Sequence, residues 1–251
     1  MSKLLFLSLR QGELAQQVAR AEYHDVLKAT GLSEVDVELQ ILDRLDEEVG
    51  SLETISGIIV GGSSLNITND EYSPWQRHVH EVLAGVVDSG LPVFFVCFGF
   101  SWLVDHLGGT VGHSHPEDSG PTEVVLSDAA HDDPLLRGTA ARFTALTGHT
   151  ENPDEVTLPA TLTVLATGPS CPVQIVRYGD NVWATQFHAE MDAEAMHTRM
   201  DFFYDYGYFP AEEYARIVAD LPNHDVAWAN AILRNFAQYC FERSPAHAPR
   251  V

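Results

Sequence analysis

Four consecutive apolar residues, Val93-Phe-Phe-Val96, run into Cys97 and then into a stretch with a different period. An unbroken apolar tetrad marks a strand buried on both faces, as parallel sheets require. Beyond it, Phe100, Leu103, Val104 and Leu107 stand at i, i+3, i+4 and i+7, which is one face of a helix. Gly108 and Gly109 then supply a C-terminal cap. The chain therefore turns from strand to helix at Cys97, and Gly99 two residues later allows a tight bend. An elbow of this kind raises its side chain clear of the sheet, at the positive end of the helix dipole. There a cysteine is favoured as thiolate, the nucleophilic form of the side chain. The alternative is a small buried hydrophobe, the common fate of a free cysteine.

The rest of the chain supplies the partners such a strand needs. Lys3 to Leu9 predicts a strand, and Gln11 to Thr30 a helix with Leu14, Val18 and Ala21 on one face, closed by Gly31. Val35 to Leu42 alternates as a second strand does, within an acid-rich stretch (Asp36 to Glu48) that suits a solvated edge. Gly57 to Val60 forms a third strand running into Gly61 and Gly62, and Trp75 to Ser89 a helix carrying Val79, Val82, Leu83 and Val86. Such alternation specifies an α/β fold: a doubly wound, mostly parallel sheet flanked by helices, binding ligands at the carboxyl ends of its strands. Thr122 to Leu126 and Arg142 to Leu146 add a small β layer, and Thr161 to Ala166, Val173 to Tyr178 and Val182 to Gln186 complete the strands. Helices follow: Asp192 to Tyr204, one starting at Pro210 with Tyr214, Ile217, Val218 and Leu221 as its stripe, and one capped by Asp225 with Trp228, Ile232, Phe236 and Tyr239 inward. The last stripe serves packing or the docking of a partner. These signals divide the chain into a domain over residues 1–205 and a helical extension over 206–251 packed on it, with a loose tail from Ser244.

Charge and cysteine usage exclude several functions. With 14 basic against 36 acidic residues, a net of −22, the chain repels nucleic acid and anionic membrane surfaces. No window approaches the roughly 20 apolar residues of a membrane span, and the apolar start at Leu4 to Leu7 is too short for a signal peptide. Cys97, Cys171 and Cys240 lack Cys-x-x-Cys spacing, which argues against disulfides or a zinc site and for a reducing cytoplasm. His113, His115, Glu117 and Asp118 lie in a polar, Pro-containing loop and are read as loop residues, not as a metal cluster. No metal and no cofactor are expected.

A second motif, Asn181-Val-Trp-Ala-Thr-Gln-Phe-His-Ala-Glu190, reads as a strand ending in His188 with a carboxylate two residues on. A histidine and an acid downstream of an elbow cysteine are the parts of a nucleophile, base and orienter set. Together the two motifs resemble the class I glutamine amidotransferase family, whose elbow runs roughly Gly-Ile-Cys-Tyr-Gly-Met-Gln and whose later motif is Gln-Phe-His-Pro-Glu. The chain keeps Cys97, Gly99, Gln186, Phe187, His188 and Glu190 of these. The likeness runs from about Gly57 to Glu190 and takes in Gly57-Ile-Ile-Val-Gly-Gly-Ser63, Leu107-Gly-Gly-Thr-Val111 and Cys171-Pro-Val-Gln174.

The resemblance implies a Cys97-His188-Glu190 triad, an oxyanion hole from the backbone amides of Gly62 and Phe98, and substrate contacts from Gly61, Ser101 and His149. Thr147-Gly-His-Thr-Glu151 matches the family's loop over bound glutamine, so His149 either lines the pocket or sits at the surface. The implied substrate is a small molecule, glutamine or another γ-glutamyl compound, cut through a thioester. With no phosphate-binding Gly-x-x-x-x-Gly-Lys loop in the chain, the ammonia either passes to a separate synthetase subunit as partner or is released. The same triad would serve a γ-glutamyl peptidase-like hydrolase, and a chain that kept only the fold would be a binding or regulatory module. Four residues depart from the family pattern: Phe95 replaces a glycine, Ser101 a glutamine, and Ser63 and Ala189 prolines.

Overall fold

The computed structural model describes residues 2–204 and 206–243; the tail from Ser244 lies outside them. Its first half alternates strand and helix: β1 (Lys3–Ser8), α1 (Ala15–Thr30), β2 (Val37–Ile41), β3 (Ile55–Val60), α2 (Pro74–Asp88), β4 (Val93–Val96) and α3 (Phe98–His106). Strands dominate the next stretch: β5 (Val111–Gly112), β6 (Glu117–Leu126), β7 (Arg142–His149), β8 (Asn152–Pro153), β9 (Leu162–Thr167), β10 (Ile175–Tyr178) and β11 (Val182–Thr185). Three helices close the described chain: α4 (Ala193–Phe202), α5 (Tyr214–Asp220) and α6 (Ala227–Arg243).

Among the described residues the main sheet has nine strands in the order β2-β1-β3-β4-β11-β10-β9-β6-β7. Its first five strands are parallel neighbours, and antiparallel pairing takes over from β11 outward. The expected β layer is thus built as a continuation of the same sheet. Each strand sends alternate side chains to opposite faces, and both faces are dry. Leu4, Phe6 and Phe94 meet Val26 of α1 and Ile232 and Phe236 of α6. Leu5, Val60 and Phe95 meet Val79 and Leu83 of α2 and Phe100 and Leu103 of α3. Phe94 and Phe95 are completely buried on opposite faces, each contributing roughly 1.5–3 kcal/mol. A third cluster joins Leu146 to Met196 and Met200 of α4 and Ile217 of α5. No described helix is long and apolar enough to cross a membrane.

Several local expectations are corrected. Leu14 is 45 % exposed, because α1 begins only at Ala15 and Leu14 is its capping residue. The inward face of α1 instead includes Glu22 and Asp25, buried because arginines pair with them. Trp228 is 42 % exposed, since it lies in the first turn of α6, off the stripe of Ala229, Ile232, Leu233 and Phe236 that faces the sheet. Cys171 to Gln174 lie in the connection before β10, which starts at Ile175.

Candidate active site

The sequence bends where the apolar tetrad ends. Cys97 follows β4 with φ 51° and ψ −97° and caps the N-terminus of α3. Among the described residues it is the non-glycine with positive φ, a strained conformation that persists only where the surroundings enforce it. The enforcement is visible: Cys97 N–H donates to Thr185 O of β11 (2.8 Å), and Cys97 O accepts from Phe100 N (2.9 Å). Gly99 completes the bend. A Cβ there would stand 2.6 Å from Cδ1 and 2.9 Å from Cβ of Phe95, so the large residue two before the cysteine is accommodated by the missing side chain two after it. The Phe95 ring packs against Trp102 with centroids 5.6 Å apart.

β11, parallel to β4, delivers the imidazole. Past its end, His188 N–H donates to Leu146 O of β7 (2.9 Å), an isolated antiparallel bridge that fixes the histidine backbone. His188 Nδ1 lies 2.6 Å from Glu190 Oε1, and the His188 and Cys97 side chains line the same cavity. With Nδ1 taken, Nε2 is the nitrogen left for sulfur. Burial alone would lower the His188 pKa; the Glu190 charge, the nearby Cys97 and the hydrogen bond to Glu190 outweigh it and raise the value to about 10. The arrangement therefore favours an imidazolium beside the sulfur.

Gly62 abuts this pair. A Cβ at Gly62 would meet His188 Cε1 at 3.0 Å and Cys97 Cβ at 3.8 Å, so a side chain would wedge between the loop and the imidazole. Among the described residues no hydrogen bond takes up the backbone N–H of Gly62 or Phe98, leaving both for a ligand. Gly61, by contrast, spends its N–H on Leu7 O (3.0 Å) and lines neither cavity at the site; Ser63 lines both.

Two cavities share Cys97. One holds about 270 Å³ of empty space, its mouth included, bounded by Phe98, Ser101, His149, Glu151, Gln186 and Tyr208 among others. Polar groups gather there. Gln186 is buried with neither atom of its carboxamide paired. The Glu151 carboxylate accepts from Ile67 N (2.9 Å) and Thr68 N (2.7 Å), pinning the segment whose Leu65 and Asn66 line the same cavity. His149 is buried, not at the surface; its Nδ1 faces Glu151 O (2.8 Å) and its Nε2 faces Glu117 Oε2 (2.9 Å). The other cavity holds about 500 Å³ on the same basis and includes His188, Met191, Met200 and Phe203 in its wall.

Glu117, His149 and Cys171 bring three ligand atoms within 4.8 Å of one another. Protein partners already satisfy them: Glu117 also accepts from Thr122, Ser170 and Gln174. Burial would raise its pKa, but the hydrogen bonds, that of His149 first, bring it down to about 2. Burial pushes the Cys171 thiol up to about 12, which disfavours the thiolate a metal would need. The trio is a hydrogen-bond hub behind the pocket; His113 of the same loop instead meets Thr68 Oγ1 (2.9 Å).

Some site residues carried no sequence signal. Arg10 and Arg199 are buried beside the larger cavity, with Arg10 and Arg199 both paired to Glu22 and Arg199 Nη2 2.8 Å from Asp25 Oδ2. Tyr208, which lines both cavities, comes from the segment assigned to the C-terminal extension. Burial, then the nearby Cys97, pushes its phenol up to about 12.

Residues 23–204 match the family model for "Glutamine amidotransferase class-I". The chain belongs to the class I glutamine amidotransferases. A GMP synthase (glutamine-hydrolyzing) of Aeropyrum pernix is 29 % identical over 180 residues, covering 72 % of this chain and 31 % of that protein. A glutamine amidotransferase-like protein of Salmonella typhimurium, YfeJ, is 30 % identical over 141 residues, or 55 % of this chain and 58 % of its own length. This class I amidotransferase thus spans less than two thirds of either relative. The fold is shared with a glutamine amidotransferase of Thermotoga maritima (TM-score 0.75, 18 % identity, 96 % of this chain and 100 % of that one). It is shared too with one from Methylobacillus flagellatus (TM-score 0.67, 16 % identity, 95 % of each).

Proposed function

We propose that this amidotransferase hydrolyses the side-chain carboxamide of glutamine through a thioester on Cys97. The observation that carries the reading is that His188, bonded to Glu190, shares a cavity wall with Cys97, which also borders a second cavity. Cys97 Sγ attacks the carboxamide carbon, and the oxyanion that forms is held by the N–H groups of Gly62 and Phe98. Donors of this type contribute about 3–4 kcal/mol each to lowering a barrier. His188 gives its Nε2 proton to the departing nitrogen as the C–N bond breaks, releasing ammonia and leaving the γ-glutamyl thioester. Water then enters; His188 takes its proton, the C–S bond breaks, and glutamate leaves. Glu190 keeps the imidazole in orientation and stabilises its charged form. Ser101, His149 and the unpaired carboxamide of Gln186 face the glutamyl part of the substrate, in the polar cavity where they lie.

When glutamine is the substrate, the ammonia is available to a separate synthetase subunit, in keeping with the glutamine-hydrolysing GMP synthases among the relatives. The test is glutamate release from glutamine by the wild-type chain and by Cys97→Ala, alone and with a glutamine-like chloroketone as an active-site label. Cys97-dependent release, or stoichiometric alkylation of Cys97 that glutamine protects against, is expected. The absence of both release and labelling would sink the reading.

A further inference from the structure

The two cavities that meet at Cys97 differ in kind, and the position of His188 assigns each a role. The assignment rests on the thioester mechanism proposed above, in which the imidazole hands its proton to the nitrogen that leaves. Whatever that nitrogen carries must occupy the cavity His188 lines. His188 belongs to the wall of the larger cavity, while the smaller one is bounded by Phe98, Ser101 and Gln186 on the oxyanion side. The acyl part of the substrate thus fills the small polar cavity, and the large one lies on the leaving-group side.

An ammonia molecule needs no such space. The leaving-group cavity opens to solvent, and Met191, Met196, Met200, Phe203 and Phe209 give its wall a mostly apolar surface beside Ser63, Ser119 and Tyr208. Methionines and aromatic rings make an adaptable apolar lining suited to a flat or irregular hydrocarbon. Besides His188, its charged side chains are the guanidiniums of Arg10 and Arg199. Glu22 and Asp25 hold these guanidiniums in place. Arg10 also stacks on Phe203, 5.1 Å from the ring centroid, so the wall is built and braced.

We infer that the bond this enzyme is shaped to cut is an N-substituted γ-glutamyl amide whose amine part is apolar and about the size of a phenyl ring. The chemistry is unchanged: the C–N bond breaks, His188 supplies the proton, and a neutral primary amine departs in place of ammonia.

The experiment compares L-glutamine with γ-glutamyl benzylamide as substrates of the full chain, following glutamate release. The benzylamide is expected to show kcat/KM about 10-fold or more above that of glutamine, the scale on which burying a phenyl group acts. Met200→Trp, which fills the cavity, is expected to lower the benzylamide-to-glutamine ratio by about 10-fold; Met196→Trp, on the same wall, replaces it should Met200→Trp fail to fold. Because the readout is a ratio measured on one protein, a general loss of folded enzyme does not move it. Cys97-dependent cleavage of glutamine with slower or no cleavage of the benzylamide overturns the inference and leaves the thioester reading standing. Cleavage of neither, with no chloroketone label on Cys97, overturns both.

Discussion

Replacing Gly99 by alanine puts the elbow's packing to a quantitative test. The new methyl would lie 2.6 Å from Cδ1, 2.9 Å from Cβ and 3.1 Å from Cγ of Phe95. A rotamer change can move the ring but not the Phe95 Cβ, so α3 itself must shift. Overpacking of this kind costs about 1–3 kcal/mol, against a gain of up to about 1 kcal/mol from replacing glycine inside a helix. A net loss of roughly 1–2 kcal/mol follows, or about 2–8 °C in melting temperature for a chain of this size. The same substitution on a Phe95→Gly background meets none of these three atoms and loses most of its cost. A double-mutant cycle by urea denaturation, followed by tryptophan fluorescence, should therefore give a coupling of at least about 1 kcal/mol. A Gly99→Ala variant within about 0.5 kcal/mol of its parent on both backgrounds would refute this explanation of why phenylalanine is tolerated before the cysteine.

Other outcomes concern the site. Glu190→Gln keeps the shape but removes a charged hydrogen-bond partner worth about 1.5–3 kcal/mol, so kcat/KM for glutamine should fall about 10- to 150-fold; an unchanged value would deny Glu190 an orienting role. Folding raises the His188 pKa to about 10, so its stabilising contribution is full below about 6.5 and is lost as pH rises through about 10; denaturation across that range should show the decline starting at lower pH in Glu190→Gln. Glu117 works in the opposite sense. Its pKa, held near 2, gives stability above about 4.5 that disappears as pH falls toward 2, and Glu117→Gln should flatten that acid limb. Arg199→Met leaves Asp25 without its buried partner and should cost about 3–5 kcal/mol by chemical denaturation, with a smaller loss below pH 6, where burial has already pushed the Asp25 pKa up to about 6.

What the sequence announces and what it hides divide along physical lines. The apolar tetrad, the change of period at Phe100 and the Gln-Phe-His run are local patterns, and the structure has β4, α3 and the end of β11 where those patterns put them. The inward face of α1 is hidden because Glu22 and Asp25 look like solvated residues until their partners are known. Arg10 is 12 positions and Arg199 is 177 positions from Glu22, and no periodicity spans such gaps. Tyr208 and Phe209 sit in a short aromatic run with no helical or strand period, so nothing marks them as cavity walls. Glu117 looks like part of a polar loop; only the β6–β7 pairing brings it against His149. Charged residues are hardest to place from sequence because burial reverses their meaning.

The bridge between Leu146 and His188 makes the alignment of the reaction a matter of strand register. β7 carries Leu146, which holds the histidine backbone, and three residues later His149, which borders the smaller cavity beside Cys97. A slip of β7 by one position would displace both by about 3.4 Å along the strand and turn every side chain of β7 to the opposite face. Nucleophile and oxyanion donors, mounted on β3, β4 and α3, would stay behind. The outermost pairing of the sheet thus acts as a gauge that keeps two separately mounted halves of one machine in step.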